Sequence, residues 1–233
     1  TPMNAILGFS EILVSKIKDP QLLRYSQTIF SSGNTLLRLI NDILDLAKIE
    51  SGKFELQYSS VSVKEIFNDM KCIFSTKMDK KGLDFKIEID DNVPQYLLVD
   101  EVRLRQILIN FLDNAIKFTD EGRISLAVKC IGTGEERSSV GLRIDIADSG
   151  IGIPSDQQDK IFGAFEQVSG QKVANYGGTG LGLSICLQLI EMMLGTVKLE
   201  SEVDRGAHFI IEFPEVEISV GRSLELCERD SSN

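Results

Sequence analysis

Tyr176-Gly177-Gly178-Thr179-Gly180-Leu181-Gly182-Leu183 places four glycines in six residues, directly ahead of an apolar run that reads as a helix. Glycines at this density let the backbone approach a ligand closely. The helix start adds unpaired N–H groups and the positive end of its dipole. Together they form a seat for an anion, most naturally a nucleotide phosphate. No Gly-Lys-Ser/Thr follows, so this is not a P-loop. It also lacks the strand before and the acidic residue after that mark a dinucleotide fingerprint. Taken alone, the stretch has a plain turn as its competing reading.

Working outward, periodicity predicts helices over 63–80, 101–117 and 181–194, and strands over 83–89, 124–130, 140–147, 197–202 and 208–213. Such alternation predicts an α/β domain over 61–216. Residues 132–139 read as a polar hairpin loop and 168–176 as a lid over the glycines. Residues 1–51 are expected to be wholly helical. Ile6, Phe9 or Ser10, Leu13 and Ile17 recur at helical spacing, and Asp19-Pro20 starts a second helix as N-cap and first residue. In that helix Ile29, Gly33, Leu36, Ile40, Ile43 and Ala47 form a heptad seam, with Leu23, Phe30, Leu37 and Leu44 beside it. At ~1.5 Å per residue the helix is about 45 Å long. Its apolar face is broader than one partner helix needs, so two chains are expected to pair as an antiparallel four-helix bundle through residues 1–51. Residues 52–60 read as a hinge and 217–233 as a tail.

Composition excludes several classes. The chain has 233 residues and a net charge of −10, against a general nucleic-acid binder. No apolar run approaches the ~20 residues needed to cross a bilayer, so no membrane contact is expected of these residues. The four cysteines (72, 130, 186, 227) form no CxxC pair and read as reduced core residues of a cytoplasmic protein. The single His208 lies in an alternating run, on the polar face of a strand, and no zinc site is expected.

Three further blocks sharpen the phosphate reading. In 105–118, Ile107, Leu108, Phe111, Leu112 and Ala115 line one side of a helix, while Asn110, Asn114 and Lys117 fall on another. An amide oxygen is a hard neutral ligand suited to Mg²⁺ among phosphates, and a lysine one turn on supplies a point charge. In Asp148-Ser149-Gly150-Ile151-Gly152-Ile153-Pro154, a carboxylate beside two glycines can accept a hydrogen bond from an exocyclic amine such as adenine carries. Phe162 and Phe165, three apart, are expected to pack under the lid.

These blocks, in this order, resemble the N, G1, F and G2 boxes of sensor histidine kinases with a Bergerat-type (GHKL) ATP-binding fold. The resemblance covers 1–214, and the Phe-Glu-Gln-Val form of the F box is similar to that of hybrid kinases. It implies an α+β chain: a helical hairpin for dimerisation and phosphotransfer, then an α/β sandwich with a mixed sheet. It implies ATP and Mg²⁺ as cofactors, with Asn114 on the metal, Asn110 beside the phosphates, Lys117 on phosphate and Phe118 bordering the nucleotide. Asp148 would pair with the adenine amine, helped by Gly150, Gly152 and Ile153. Gly178, Gly180 and Gly182 would cradle the phosphates, and Tyr176, Thr179 and Leu181 would also belong to the ATP site. The implied reaction carries the γ-phosphoryl group of ATP to a histidine and thence to an aspartate on a response-regulator receiver domain. Ala5, Leu7, Gly8, Ser10 and Glu11 are the expected docking face.

Two departures matter. Thr1-Pro2-Met3-Asn4-Ala5-Ile6 resembles the end of the H box, whose acceptor histidine stands four residues before the threonine, so these residues alone are expected to bind ATP without phosphorylating themselves. By the resemblance, Thr1 helps position water for dephosphorylation of the partner. Relatives often carry an Arg shortly before Tyr-Gly-Gly; Lys172 stands in that stretch as a weaker phosphate partner and a candidate catalytic residue. Other readings share parts of the pattern. A clamp-type ATPase of the same fold would put a carboxylate where Asn110 stands. A non-catalytic nucleotide-binding dimerisation module and a serine kinase of the same fold are the others.

Overall fold

The computed structural model describes residues 2–133, 138–163 and 180–219. The chain divides into two compact units, the first ending at Phe54 and the second beginning at Glu55.

The first unit is a hairpin of α1 (Pro2–Lys16) and α2 (Pro20–Glu50). Asp19 caps α2 by accepting from the Gln21 and Leu22 amides, and Pro20 occupies the first turn, where no N–H is needed. At the other end Gly52 takes φ +65°, and the Lys53 amide donates back to the Lys48 carbonyl at 3.0 Å.

The inward stripe of α1 differs from the expected one. Ser10 is buried as foreseen, but Ile6, Phe9 and Leu13 stay 48%, 69% and 48% exposed. Leu7 turns inward instead, and a Cβ on Gly33 of α2 would meet its side chain at 2.9 Å. Of the residues expected to form a docking face, Leu7 and Ser10 are thus turned in, while Ala5, Gly8 and Glu11 are exposed. On α2 the heptad seam splits in the same way. Gly33 is buried, while Ile29, Leu36, Ile40 and Ile43 are 39–51% exposed.

In the second unit the chain runs β1 (Ser59–Val61), α3 (Val63–Lys81), β2 (Asp84–Ile89), β3 (Leu97–Val99), α4 (Glu101–Phe118), β4 (Arg123–Thr133) and β5 (Ser139–Asp148). A short 3₁₀ turn (Lys160–Phe162), α5 (Gly182–Met192), β6 (Thr196–Glu202) and β7 (Gly206–Glu217) complete it. Residues 59 and 60, read as hinge, thus open a strand. β1 pairs antiparallel with β3, and both were too short to be seen as strands in the sequence. The main sheet has order β2-β4-β5-β7-β6, parallel at β2–β4 and antiparallel elsewhere, so it is mixed and the α+β class holds.

Helix starts follow local chemistry. Ser62 caps α3 and Asp100 caps α4, and the second Asp100 oxygen also holds the Gln57 amide at 2.8 Å. Phe67, Phe74, Leu104, Leu108, Phe111 and Leu112 of α3 and α4 are fully buried, as are Ile124, Leu126 and Ile144 of the sheet. Burial of such side chains contributes ~1.5–3 kcal/mol each, which makes this layer the main source of stability. His208 Nε2 donates to Asp145 at 2.9 Å on a polar strand face, beside Arg143. The reading of the cysteines needs correction: Cys186 is buried, but Cys72 is exposed and Cys130 only half-buried.

Candidate functional site

The apolar side of α4 fits the sheet, and this orients its polar side. With Ile107, Phe111 and Ala115 buried, Asn110, Asn114 and Lys117 are left together at the edge of the helix layer. Asn110 reaches the start of α5, where a Cβ on Gly182 would lie 3.2 Å from its Oδ1. One turn on, Asn114 lines a cleft with Phe118, Asp148, Ile153, Leu183 and Phe209. Lys117 is half-buried, with its ammonium 4.6 Å from the centre of the Phe118 ring, and desolvation holds its pKa below the usual lysine value.

Asp148 ends β5 inside this cleft. Its Oδ1 accepts from the Gly150 amide at 2.8 Å and, at a longer 3.4 Å, from the Ala207 amide. Burial holds its carboxyl above the usual carboxylate range, against the lowering pull of those amides. The loop after it needs both glycines. A Cβ on Gly150 would meet the Phe118 carbonyl at 2.3 Å, and Gly152 (φ +65°) would meet the Glu202 carbonyl at 2.0 Å. The cleft is thus lined mostly by apolar side chains, with one carboxylate among them.

The structure brings Asn110, Asn114, Lys117, Phe118, Asp148, Gly150, Gly152, Ile153, Leu181 and Gly182 into one region. Gly180 takes φ +70° at the entry to α5. Thr1, Lys172, Tyr176, Gly178, Thr179 and Phe165 lie outside the described residues. The sequence reading missed Ile151, Ile161, Leu183, Ala207 and Phe209, which complete the cleft. Phe209 stacks tilted on Phe111 at 4.9 Å and edge-on to Phe162 at 6.4 Å. Its inward place was signalled only by the alternation of 207–213, which carries no hint of a ligand. Among the described residues no group of three His, Cys, Asp or Glu could hold a metal ion. The donors at hand are the neutral amides of Asn110 and Asn114, which suit Mg²⁺ that arrives with phosphates as its other ligands.

Residues 99–217 match the family of histidine kinase-, DNA gyrase B- and HSP90-like ATPases, and residues 1–52 match the His Kinase A (phospho-acceptor) domain. The chain belongs to the former family. The pairing of the two is that of a histidine kinase catalytic core, ahead of the clamp ATPase, serine kinase and interaction-module readings.

A hybrid signal transduction histidine kinase B of Dictyostelium discoideum is 41% identical over 214 residues, 92% of this chain and 11% of that protein. The autoinducer 2 sensor kinase/phosphatase LuxQ of Vibrio vulnificus is 36% identical over 92% of this chain and 25% of its own length. The signal transduction histidine-protein kinase BarA of Escherichia coli is 32% identical over all of this chain and 26% of its own. This chain therefore spans between 11% and 26% of the length of these relatives. Among solved structures, full-length ShkA in complex with AMPPNP superposes with a TM-score of 0.76 at 32% identity, over 94% of this chain and 44% of that one. Histidine kinase ThkA in complex with the response regulator TrrA superposes at 0.56 and 28% identity, over 92% of this chain and 57% of that one.

Proposed function

We propose that the second unit binds Mg²⁺-ATP in the cleft beside Asp148 and delivers the γ-phosphoryl group to a histidine ahead of Thr1, from which it passes to an aspartate of a receiver domain. The observation that carries this is the half-buried Asp148 carboxylate in the lining of an otherwise apolar cleft that Asn114 also lines. Adenine enters flat between Ile153 and Phe209, and its amine donates to Asp148. The triphosphate then runs toward Asn110, Lys117 and the amides at the start of α5. Phosphoryl transfer asks for positioning and charge neutralisation more than covalent help, and these groups offer both. Bound Mg²⁺ would neutralise phosphate charge, held by Asn114. Lys117 is poised by its desolvation, since an anion stabilises the charged form that burial disfavours.

The exposed seam of α2 supports a homodimer through residues 1–51, because apolar residues at heptad spacing are left 39–51% exposed. Among the described residues no helix is long and apolar enough to cross a membrane. Titration calorimetry with a nonhydrolysable ATP analogue and Mg²⁺ tests the reading. One site per chain, lost in Asp148→Asn, is the expected result; absence of uptake by the wild-type chain overturns it.

A further inference from the structure

The wall of the purine slot does not stand by itself. The Ile153 amide donates to Ser201 Oγ at 2.8 Å, and the same hydroxyl donates to the Gly206 carbonyl at 2.7 Å. A hydroxyl has one proton, so this pair of bonds uses the donor and one lone pair in opposite directions. Gln158 closes the arrangement. Its Nε2 donates to the Ile153 carbonyl and to the Ser201 carbonyl, each at 2.9 Å. The Asp204 amide donates to the Ile151 carbonyl at 2.8 Å. The loop 151–153 is thereby fastened, through two side chains, to the β6–β7 turn. That turn also supplies the Ala207 amide to Asp148, and a Cβ on Gly206 would meet the Asp148 carbonyl at 1.9 Å.

The geometry points to Ser201 and Gln158 as positioning residues for base recognition, setting the distance between the Ile153 wall and the Asp148 carboxylate so that an adenine fits and a guanine does not. The proposal rests on the cleft being the ATP site. Neither side chain touches the nucleotide; both act through Ile153. The discrimination itself is chemical. Asp148 accepts a hydrogen bond from the amine of adenine but faces a carbonyl oxygen where guanine carries one, leaving two acceptors opposed. That opposition is strong only while the wall holds the base against the carboxylate. A slackened wall lets guanine shift away from it, and lets adenine lose its bond.

The test is competition of ATP and of GTP against a fluorescent ATP analogue, with Mg²⁺, on the wild-type chain and on Ser201→Ala, Ser201→Thr and Gln158→Leu. Thermal midpoints are taken without nucleotide. In Ser201→Ala and in Gln158→Leu, ATP affinity falls roughly tenfold and GTP affinity less than about twofold, so the preference for ATP shrinks. Ser201→Thr keeps the hydroxyl and keeps the preference. Loss of affinity by one factor for both nucleotides, or an unchanged preference in both variants, marks a merely structural role and overturns the proposal. If the wild type binds neither nucleotide, the reading of the site fails first, and that result is distinct from a failed variant.

Discussion

Asn110 of α4 and Gly182 of α5 are packed so closely that a Cβ on the glycine would lie 3.2 Å from the asparagine Oδ1. The contact joins the helix that carries Asn110 and Asn114 to the helix whose first amides are proposed to face phosphate. Gly182 has no unusual φ, so an alanine there is not strained in its backbone; it must push the Asn110 amide aside. Gly182→Ala is expected to weaken binding of an ATP analogue by roughly tenfold, about 1.4 kcal/mol, with little change in melting. Calorimetry against a melting scan checks it, and an unchanged affinity would show that Asn110 plays no part.

Asp148→Asn separates binding from stability. Burial raises the Asp148 pKa, so the charged form is the costly one in the folded state. A carboxyl raised in this way contributes stability that is fully present below its unfolded pKa and lost as pH rises through the folded value. The amide variant keeps an oxygen for the Gly150 and Ala207 amides but carries no charge. It should melt no lower than the wild type at neutral pH while losing nucleotide. In the wild type, ATP affinity should fall on acidification at a pH above that of an ordinary aspartate, because the acceptor becomes protonated. A pH series of binding constants reads this directly.

Gly152→Ala attacks the fold rather than the chemistry. Its φ of +65° disfavours a side chain, and the Glu202 carbonyl stands 2.0 Å from the new atom. Expected destabilisation is about 3 kcal/mol, read as a shift of the urea midpoint.

Lys117→Met asks what the lysine is for. Its pKa is lowered by burial, so its contribution to stability is present above the unfolded pKa and lost as pH falls through the folded one. A methionine of similar length removes that cost at neutral pH. The free chain should therefore be at least as stable, whereas affinity for a triphosphate should drop roughly tenfold to a hundredfold. A matching loss for adenosine alone would contradict a role at the phosphates.

Two variants divide the hairpin's faces. Leu36→Lys lies on the exposed seam and should shift sedimentation from dimer toward monomer without loss of helix by circular dichroism. Leu7→Ala opens a cavity against Gly33 and should lower the melting temperature of the hairpin. Dimerisation untouched by Leu36→Lys would place the interface elsewhere.

Much of this molecule is legible locally. The Asp19-Pro20 start, the Ser51-Gly52 stop and the helical face of 105–118 are short-range effects of capping, φ preference and periodicity, and each element lies within a few residues of its expected range. The chemistry-bearing types at 110, 114, 117 and 148 stand out for the same reason: polar residues at set spacing beside apolar runs.

What the sequence determined was the inventory, namely which segments coil, which extend, and which side chains could meet a nucleotide. What only the tertiary structure decided was who faces whom. In α1 two apolar stripes compete, and the one carrying Leu7 wins because Gly33 opens a hole for it. Ser201 and Gln158 look like ordinary surface residues until β6 is laid beside the 151–153 loop, 48 residues away in the case of Ser201 and Ile153. The raised pKa of Asp148 likewise comes from neighbours distant in the chain. Hydrogen bonds and burial depend on distance in space, and a pattern along the chain records only distance in sequence.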